Sequence, residues 1–184
     1  MTSPRAAPLE IRTALPAERQ EALEITLAAY SEYARVMRPE YWDSYRQHIV
    51  DTLTEVSAAQ AQLMAVHGGT VAGTVLYCPP GSAFGEDVEN VAASPDCPEV
   101  RLLAVAPTGR GQGVGRAIME FCIGRARAND APGLVLHTMA MMHAARSLYD
   151  GLGFVRAPEL DFQPAKEWFV EGYRLDFAKT KASE

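Results

Sequence analysis

Cysteine is scarce, with three residues (Cys78, Cys97 and Cys122) in a chain of 184. They form neither a CxxC pair nor an even set. That argues against a disulfide scaffold or a cysteine-built metal centre and suits a reducing interior. No run approaches the roughly 20 apolar residues a membrane span needs. The first twelve residues lack the apolar core of a secretory signal, so a cytoplasmic protein with no membrane association is expected. Basic charge is in deficit, 17 Lys and Arg against 23 Asp and Glu, for a net charge of −6. This argues against a nucleic-acid partner, whose binding needs a basic face. The four histidines (His48, His67, His137 and His143) show no HExxH or Cys/His spacing, so no metal is expected. Ser82 and Ser147 lack the surroundings of a nucleophile elbow.

What remains is an ordinary globular composition, 48% hydrophobic and 22% charged. A chain of this length buries roughly 70% of its unfolded surface, enough for a core without staples. The expected organisation is a loose leader over 1–8, a single domain over 9–178 and a short tail over 179–184. Charge is unevenly spread. Residues 71–100 hold no Lys or Arg but do hold Glu86, Asp87, Glu89, Asp96 and Glu99. The following stretch carries Arg101, Arg110, Arg116, Arg125 and Arg127 against the single acid Glu120. Two solvated faces of opposite sign would explain this, as would a site where an anionic ligand meets a cationic one.

Periodicity predicts the elements. Leu9–Leu15 alternates as a first strand. Leu23, Leu27, Tyr30, Ala34 and Met37 recur at helical spacing ahead of Pro39. Trp42, Tyr45, Ile49, Leu53 and Val56 mark a second helix, with Asp43 or Ser44 as its cap. Ala61–Val66 and Thr70–Tyr77 flank His67-Gly68-Gly69 as a hairpin. A long Pro- and Gly-rich loop precedes a strand at Val100–Val105. A helix opening at Arg110–Gly115 lasts to about Ala128. Leu134–Thr138 is a strand, His143–Asp150 a short helix, Phe154–Val155 a strand, and Tyr173–Phe177 the last one. No internal repeat is present, and the pattern is that of an α+β domain with a central sheet.

The glycines at 109, 111, 113 and 115 are the chemical landmark. Neither G-x-G-x-x-G nor a P-loop fits them. They nonetheless suit a phosphate cradle, because glycine lets backbone approach a ligand and a helix N-terminus offers unpaired N–H groups at the positive end of its dipole. The segment "VRLLAVAPTGRGQGVGRAIME" from Val100 to Glu120 resembles the acetyl-CoA motif of the GNAT superfamily of N-acetyltransferases, whose Gln/Arg-x-x-Gly-x-Gly/Ala signature is met by Arg110, Gly113 and Gly115. Downstream, "AARSLYDGLGF" is similar to the family's second signature, through Ala145, Leu148, Tyr149, Gly153 and Phe154.

The resemblance implies the GNAT fold, a mixed and mostly antiparallel central sheet flanked by helices. It implies acetyl-CoA as co-substrate, with backbone groups of Leu103, Ala104 and Val105 along the pantetheine arm. The loop Arg110, Gly111, Gln112, Gly113, Val114, Gly115 and Arg116 would lie on the pyrophosphate. Tyr149 becomes the general acid for the departing thiolate, since a phenol of reference pKa about 10 can donate to it. Glu99 becomes a base for the amine, with an exposed loop carboxylate as the plainer alternative. Tyr30, Tyr33 and Trp42 fall where the family forms its acceptor pocket, although aromatics at such spacing also serve as core. One departure is Met142, which stands where the family often has the Asn that helps hold the cofactor arm.

The expected reaction is transfer of an acetyl group to a primary amine by direct attack in a ternary complex. No cysteine lies in either motif to carry the acyl group. The acidic stretch, including Glu86, Asp87 and Glu89, favours a cationic small molecule or a peptide amine as acceptor. Two alternatives stay open: a non-catalytic acyl-CoA-binding sensor, and a same-fold transferase using another acyl-CoA. A homodimer is common in the family and is open here too.

Overall fold

The computed structural model describes residues 8–82, 94–165 and 168–178. The acidic residues Glu86, Asp87 and Glu89, most of the leader and the tail lie outside the described residues. The chain divides into two compact units, Met1–Leu76 with Leu102–Phe121, and Tyr77–Arg101 with Cys122–Glu184.

The first unit begins with β1 (Leu9–Thr13), followed by α1 (Arg19–Tyr30) and α2 (Pro39–Thr54). Ala22, Leu23, Thr26 and Ala29 form the buried stripe of α1, and Tyr45, Ile49 and Leu53 that of α2, each at helical spacing. The first helix is shorter than its periodicity predicts. It tightens at Ser31–Arg35 into a 3-10 turn, so Ala34 and Met37 lie beyond it. The second helix starts earlier than predicted. Pro39 occupies its first turn, and Arg38, held extended at φ −63° and ψ 144°, precedes it. A proline that reads as a stop for one helix is here the start of the next, because the first turn has no use for its missing N–H.

The hairpin follows as β2 (Ala61–His67) and β3 (Thr70–Cys78). β1 pairs antiparallel with β2, Leu9 opposite His67 and Thr13 opposite Leu63. Ala14, Ala22, Met64 and Val71 form a buried cluster against which Ile25 and Val66 pack. Gln62, also on β2, interrupts this apolar setting. It is 3% exposed, and neither its side-chain oxygen nor its nitrogen has a partner among the described residues. Leaving a buried amide unsatisfied is costly, so Gln62→Met, near in volume, is expected to stabilise the protein by about 1 kcal/mol. A thermal melt should shift upward by about 2–4 °C; a downward shift would contradict this account.

Strand β4 (Glu99–Val105) contributes its first three residues to the second unit and the rest to the first, and α3 (Val114–Ala128) likewise runs on from one into the other. The second unit continues with β5 (Gly133–Thr138), α4 (His143–Asp150), β6 (Val155–Arg156), β7 (Phe162–Ala165) and β8 (Trp168–Asp176). Strand order is β1-β2-β3-β4 in the first unit and β4-β5-β8-β6 in the second, with β7 pairing to β8. β4 and β5 run parallel, whereas β5, β6 and β7 each pair antiparallel with β8. The architecture is the expected α+β one, a mixed sheet with four α-helices among the described residues. Beyond α4 the described residues hold three strands, β6, β7 and β8, not the two that alternation predicts. β7, Phe-Gln-Pro-Ala, is too short and too proline-marked to show a period of two.

Candidate active site

In the first unit the site is built from the end of β4. Leu102 adopts φ +51°, a left-handed backbone that is costly for a branched side chain in mid-strand. Upstream of it, Glu99 and Val100 pair with Val135 and Leu136 of β5, and that register ends at Val100. Downstream lie Leu103, Ala104 and Val105, whose backbone the motif assigns to the cofactor arm. The Tyr30 hydroxyl donates to the Leu103 carbonyl at 3.3 Å. Ala106 then donates to the Ala72 carbonyl at 2.9 Å, and a 3-10 turn at Pro107–Gly109 lifts the chain off the strand.

The loop that follows has the form of an anion cradle. Gly111 and Gly113 take φ +73° and +77°, and a Cβ built on either would meet nothing within 4 Å. Alternating left-handed residues turn successive N–H groups toward one concavity. An i→i−4 bond at the start of α3 runs from the Ala117 amide to the Gly113 carbonyl at 3.0 Å. The amides of Val114, Gly115 and Arg116 lie in the first turn, at the positive end of the helix dipole. Gly73 seats this helix start: a Cβ there would lie 2.8 Å from the Ala104 carbonyl and 3.1 Å from Val114 Cγ1. The Gln112 side chain donates to the Thr108 carbonyl at 2.9 Å, so it braces the loop from within. These features fit a diphosphate-bearing cofactor: room, backbone donors and a helix N-terminus.

The arginines of this stretch have partners within the chain. Arg110 pairs with Glu32 at 2.9 Å and also donates to the Ala29 carbonyl at 3.3 Å. Arg116 lies 3.5 Å from Glu120. In the second unit, Arg125 covers the Tyr77 ring and Arg127 the Phe177 ring, each at just under 5 Å from the centroid. Arg101 is an interior residue, its side chain 9% exposed.

The aromatic residues singled out on the first two helices do come together. Tyr30 and Tyr33 meet edge-on with centroids 5.8 Å apart, Tyr30 and Tyr45 lie 5.9 Å apart, and Trp42 and Tyr45 6.5 Å apart. Tyr45 is the buried anchor, while Tyr30, Tyr33 and Trp42 are half-buried. Burial pushes the Tyr33 phenol above its ordinary pKa, assisted by the neighbouring Glu32.

The second unit holds Glu99 and Tyr149. Glu99 is 5% exposed. One of its oxygens accepts from Arg101 at 2.7 Å, and the other lies 2.8 Å from His137 Nδ1. Arg101 also donates to the Ser82 carbonyl at 2.8 Å, and His137 Nε2 lies 2.9 Å from the Leu160 carbonyl. Both ring nitrogens thus face oxygen acceptors. Glu99 is therefore not the exposed loop carboxylate of the plainer alternative but the centre of a buried charge cluster.

Tyr149 is buried on α4, its ring 6.0 Å from that of Phe154. The Tyr149 carbonyl accepts from the Phe154 amide at 3.0 Å, which folds the second motif back on itself. Met142 is buried at the start of α4 and its sulfur accepts from the Thr138 hydroxyl at 3.6 Å. It satisfies a neighbour within the chain where the family's Asn would offer an amide. His143 is exposed.

Three residues that the sequence did not single out matter here: His137, Arg101 as partner of Glu99, and Glu32 as partner of Arg110. Glu99 and Arg101 stand two apart on one strand and so share a face, a signal that was available. The other two pairings depend on strand register and helix docking, which no local pattern carries.

The helix-seated glycine cradle at the end of β4, followed by a strand and a short helix bearing a tyrosine, defines an acyl-CoA transferase fold. The profile described as the Acetyltransferase (GNAT) family matches residues 22–154, and the chain belongs to that family. Solved structures share the fold. An acetyltransferase of Corynebacterium glutamicum described as histone acetyltransferase HPA2 and related acetyltransferase is 20% identical at a TM-score of 0.69, over 95% of this chain and 99% of that one. A GNAT family acetyltransferase from Brucella melitensis, solved in complex with acetyl-CoA, is 23% identical at 0.60, over 93% and 89%. The ribosomal-protein-S18-alanine N-acetyltransferase of Escherichia coli is 17% identical at 0.62, over 96% and 100%. In sequence, the N-alpha-acetyltransferase 30 of Saccharomyces cerevisiae is 33% identical over 57 residues, which spans 31% of this chain and about a third (32%) of that protein. Among the described residues, no helix is long and apolar enough to cross a membrane, and no group of three His, Cys, Asp or Glu could hold a metal.

Proposed function

We propose that this protein is an N-acetyltransferase that moves the acetyl group of acetyl-CoA to a primary amine, acting in the cytoplasm with residues 9–178 as its catalytic domain. The observation that carries this reading is the pair of left-handed glycines, Gly111 and Gly113, opening onto free space ahead of α3. The amides from Gly111 to Arg116 hold the pyrophosphate, with Arg110 and Arg116 beside it. Backbone groups of Leu103, Ala104 and Val105 align the pantetheine arm, and an amide near Val105 steadies charge developing on the thioester oxygen.

Transfer proceeds by direct attack. The amine nitrogen forms the new bond to the carbonyl carbon, the C–S bond breaks, Tyr149 gives its phenolic proton to the departing sulfur, and the proton shed by the acylated nitrogen restores the phenol. An acyl-cysteine route finds no support in the thiols. All three cysteines are buried, and burial pushes the Cys122 thiol up to about 12. The ammonium form of the acceptor must lose a proton before attack. Glu99 is 5% exposed and each of its oxygens is already engaged, so the geometry favours it as the holder of that cluster over a freely accessible base.

The acceptor is a cationic small molecule or a peptide amine. The names of two relatives, an N-alpha-acetyltransferase and a ribosomal-protein alanine N-acetyltransferase, support the peptide α-amine among these. Tyr30, Tyr33 and Trp42 line the acceptor side. Release of coenzyme A thiol from acetyl-CoA across polyamines, aminoglycosides, amino acids and short peptides tests the proposal. Amine-dependent release is expected. Acetyl-CoA binding with no release on any amine would favour a sensor instead.

A further inference from the structure

The contacts of Arg110 carry a consequence for the acceptor. Its guanidinium is about half exposed and so is its partner Glu32, at 46% and 47%. Exposed ion pairs of this kind are weak and readily exchanged. Arg110 also caps the Ala29 carbonyl in the last turn of α1, where a cation suits the helix dipole. Glu32 stands next to Tyr33, whose phenol its charge helps to push above the ordinary range, and Tyr33 packs edge-on against Tyr30. Tyr30 reaches the Leu103 carbonyl on β4. One carboxylate at the rim of an aromatic cluster is therefore occupied by a cation belonging to the cradle.

We propose that Arg110 is shared between the cofactor and Glu32, and that Glu32, once released, is the residue that recognises a second positive charge on the acceptor. The inference rests on reading the glycine loop as a diphosphate cradle. A phosphate there competes with Glu32 for the guanidinium. A released Glu32, next in sequence to Tyr33 whose ring packs on Tyr30, offers a carboxylate near π-systems, a combination that suits an ammonium group. The two ligands then assist each other. Cofactor phosphate draws Arg110 off Glu32, and a cation on Glu32 leaves Arg110 to the phosphate. Linkage requires that the two effects be equal in size. Amines with one charge need only present the reacting nitrogen, whereas diamines and basic peptides gain from Glu32. Glu32 is thus a specificity residue, distinct from the acid and from the cradle amides.

Calorimetric titration of coenzyme A, with and without saturating 1,4-diaminobutane, tests this on the wild type, Glu32→Gln and Glu32→Asp. In the wild type the diamine should tighten coenzyme A about fivefold, the scale of an exposed ion pair. Glu32→Gln should bind coenzyme A about fivefold tighter than the wild type without diamine and show no further diamine effect, while Glu32→Asp should retain the coupling. Equal coenzyme A affinity in the wild type and Glu32→Gln would overturn the proposal, as would a diamine effect that survives Glu32→Gln. Failure of coenzyme A to bind the wild type at all would instead remove the cradle reading on which it stands.

Discussion

Tyr149→Phe should lower turnover by about a hundredfold or more, the range of a positioned general acid, while coenzyme A affinity stays within about twofold. The substitution keeps the ring that packs against Phe154 and removes only the hydroxyl. Its stability cost is about 1 kcal/mol, too small to unfold the chain. Loss of turnover with retained binding is then a chemical effect. The expected pattern in steady-state kinetics is a fall in kcat with little change in KM for acetyl-CoA, because the proton is needed only as the C–S bond breaks. A variant with unchanged kcat would move the acid to another group or to water. A variant that loses coenzyme A binding would mean the hydroxyl serves the cofactor and not the leaving group.

Glu99→Ala should be the most destabilising single change in the second unit. Arg101 and Glu99 side chains are 9% and 6% exposed, and that of His137 is 7% exposed, so removal of the carboxylate takes a partner from a buried guanidinium and from an equally buried imidazole. Breaking a buried pair from one side costs about 3–5 kcal/mol, which corresponds to a fall in Tm of about 10 °C or more. Glu99→Gln should cost less, since its amide oxygen can accept from Arg101 and its NH2 can donate to a neutral His137. That variant also separates two roles. If Glu99 only holds the cluster, Glu99→Gln should retain most of its turnover and the same pH profile of kcat/KM. If it is the base, the acidic limb of that profile should disappear together with turnover.

Much of this arrangement is legible before any coordinates are seen, for a physical reason. Helix α3 begins among four closely spaced glycines and carries an apolar stripe, and α4 stops at Gly151, so both motifs are local. The hairpin turn is local as well. What sequence periodicity misreads is equally specific. It runs α1 on to Met37, because Ala34 and Met37 keep the helical spacing after the backbone has tightened to a 3-10 turn. It delays α2 past Pro39, because proline serves both as a stop and as a first-turn residue. It cannot see β7, which has four residues and no alternation. The chemistry divides in the same way. The cradle is a property of one continuous loop and is plain in the sequence. The environment of Glu99 depends on His137 arriving from a neighbouring strand and on Leu160 beyond it, so its burial and double engagement emerge only from register. Leu102, an ordinary strand former, gives no warning that it must turn left-handed.

The sealed thiols have a practical side. With Cys78, Cys97 and Cys122 all interior, and the Cys122 sulfur held protonated at ordinary pH, a colorimetric disulfide reagent finds no ready reaction partner on the folded protein. Coenzyme A set free in a reaction mixture is then the thiol that such a reagent counts. Substrate screens can be followed continuously, without blocking the enzyme first. The same reagent, slow on the native state and fast once the interior opens, also serves as a clock for unfolding.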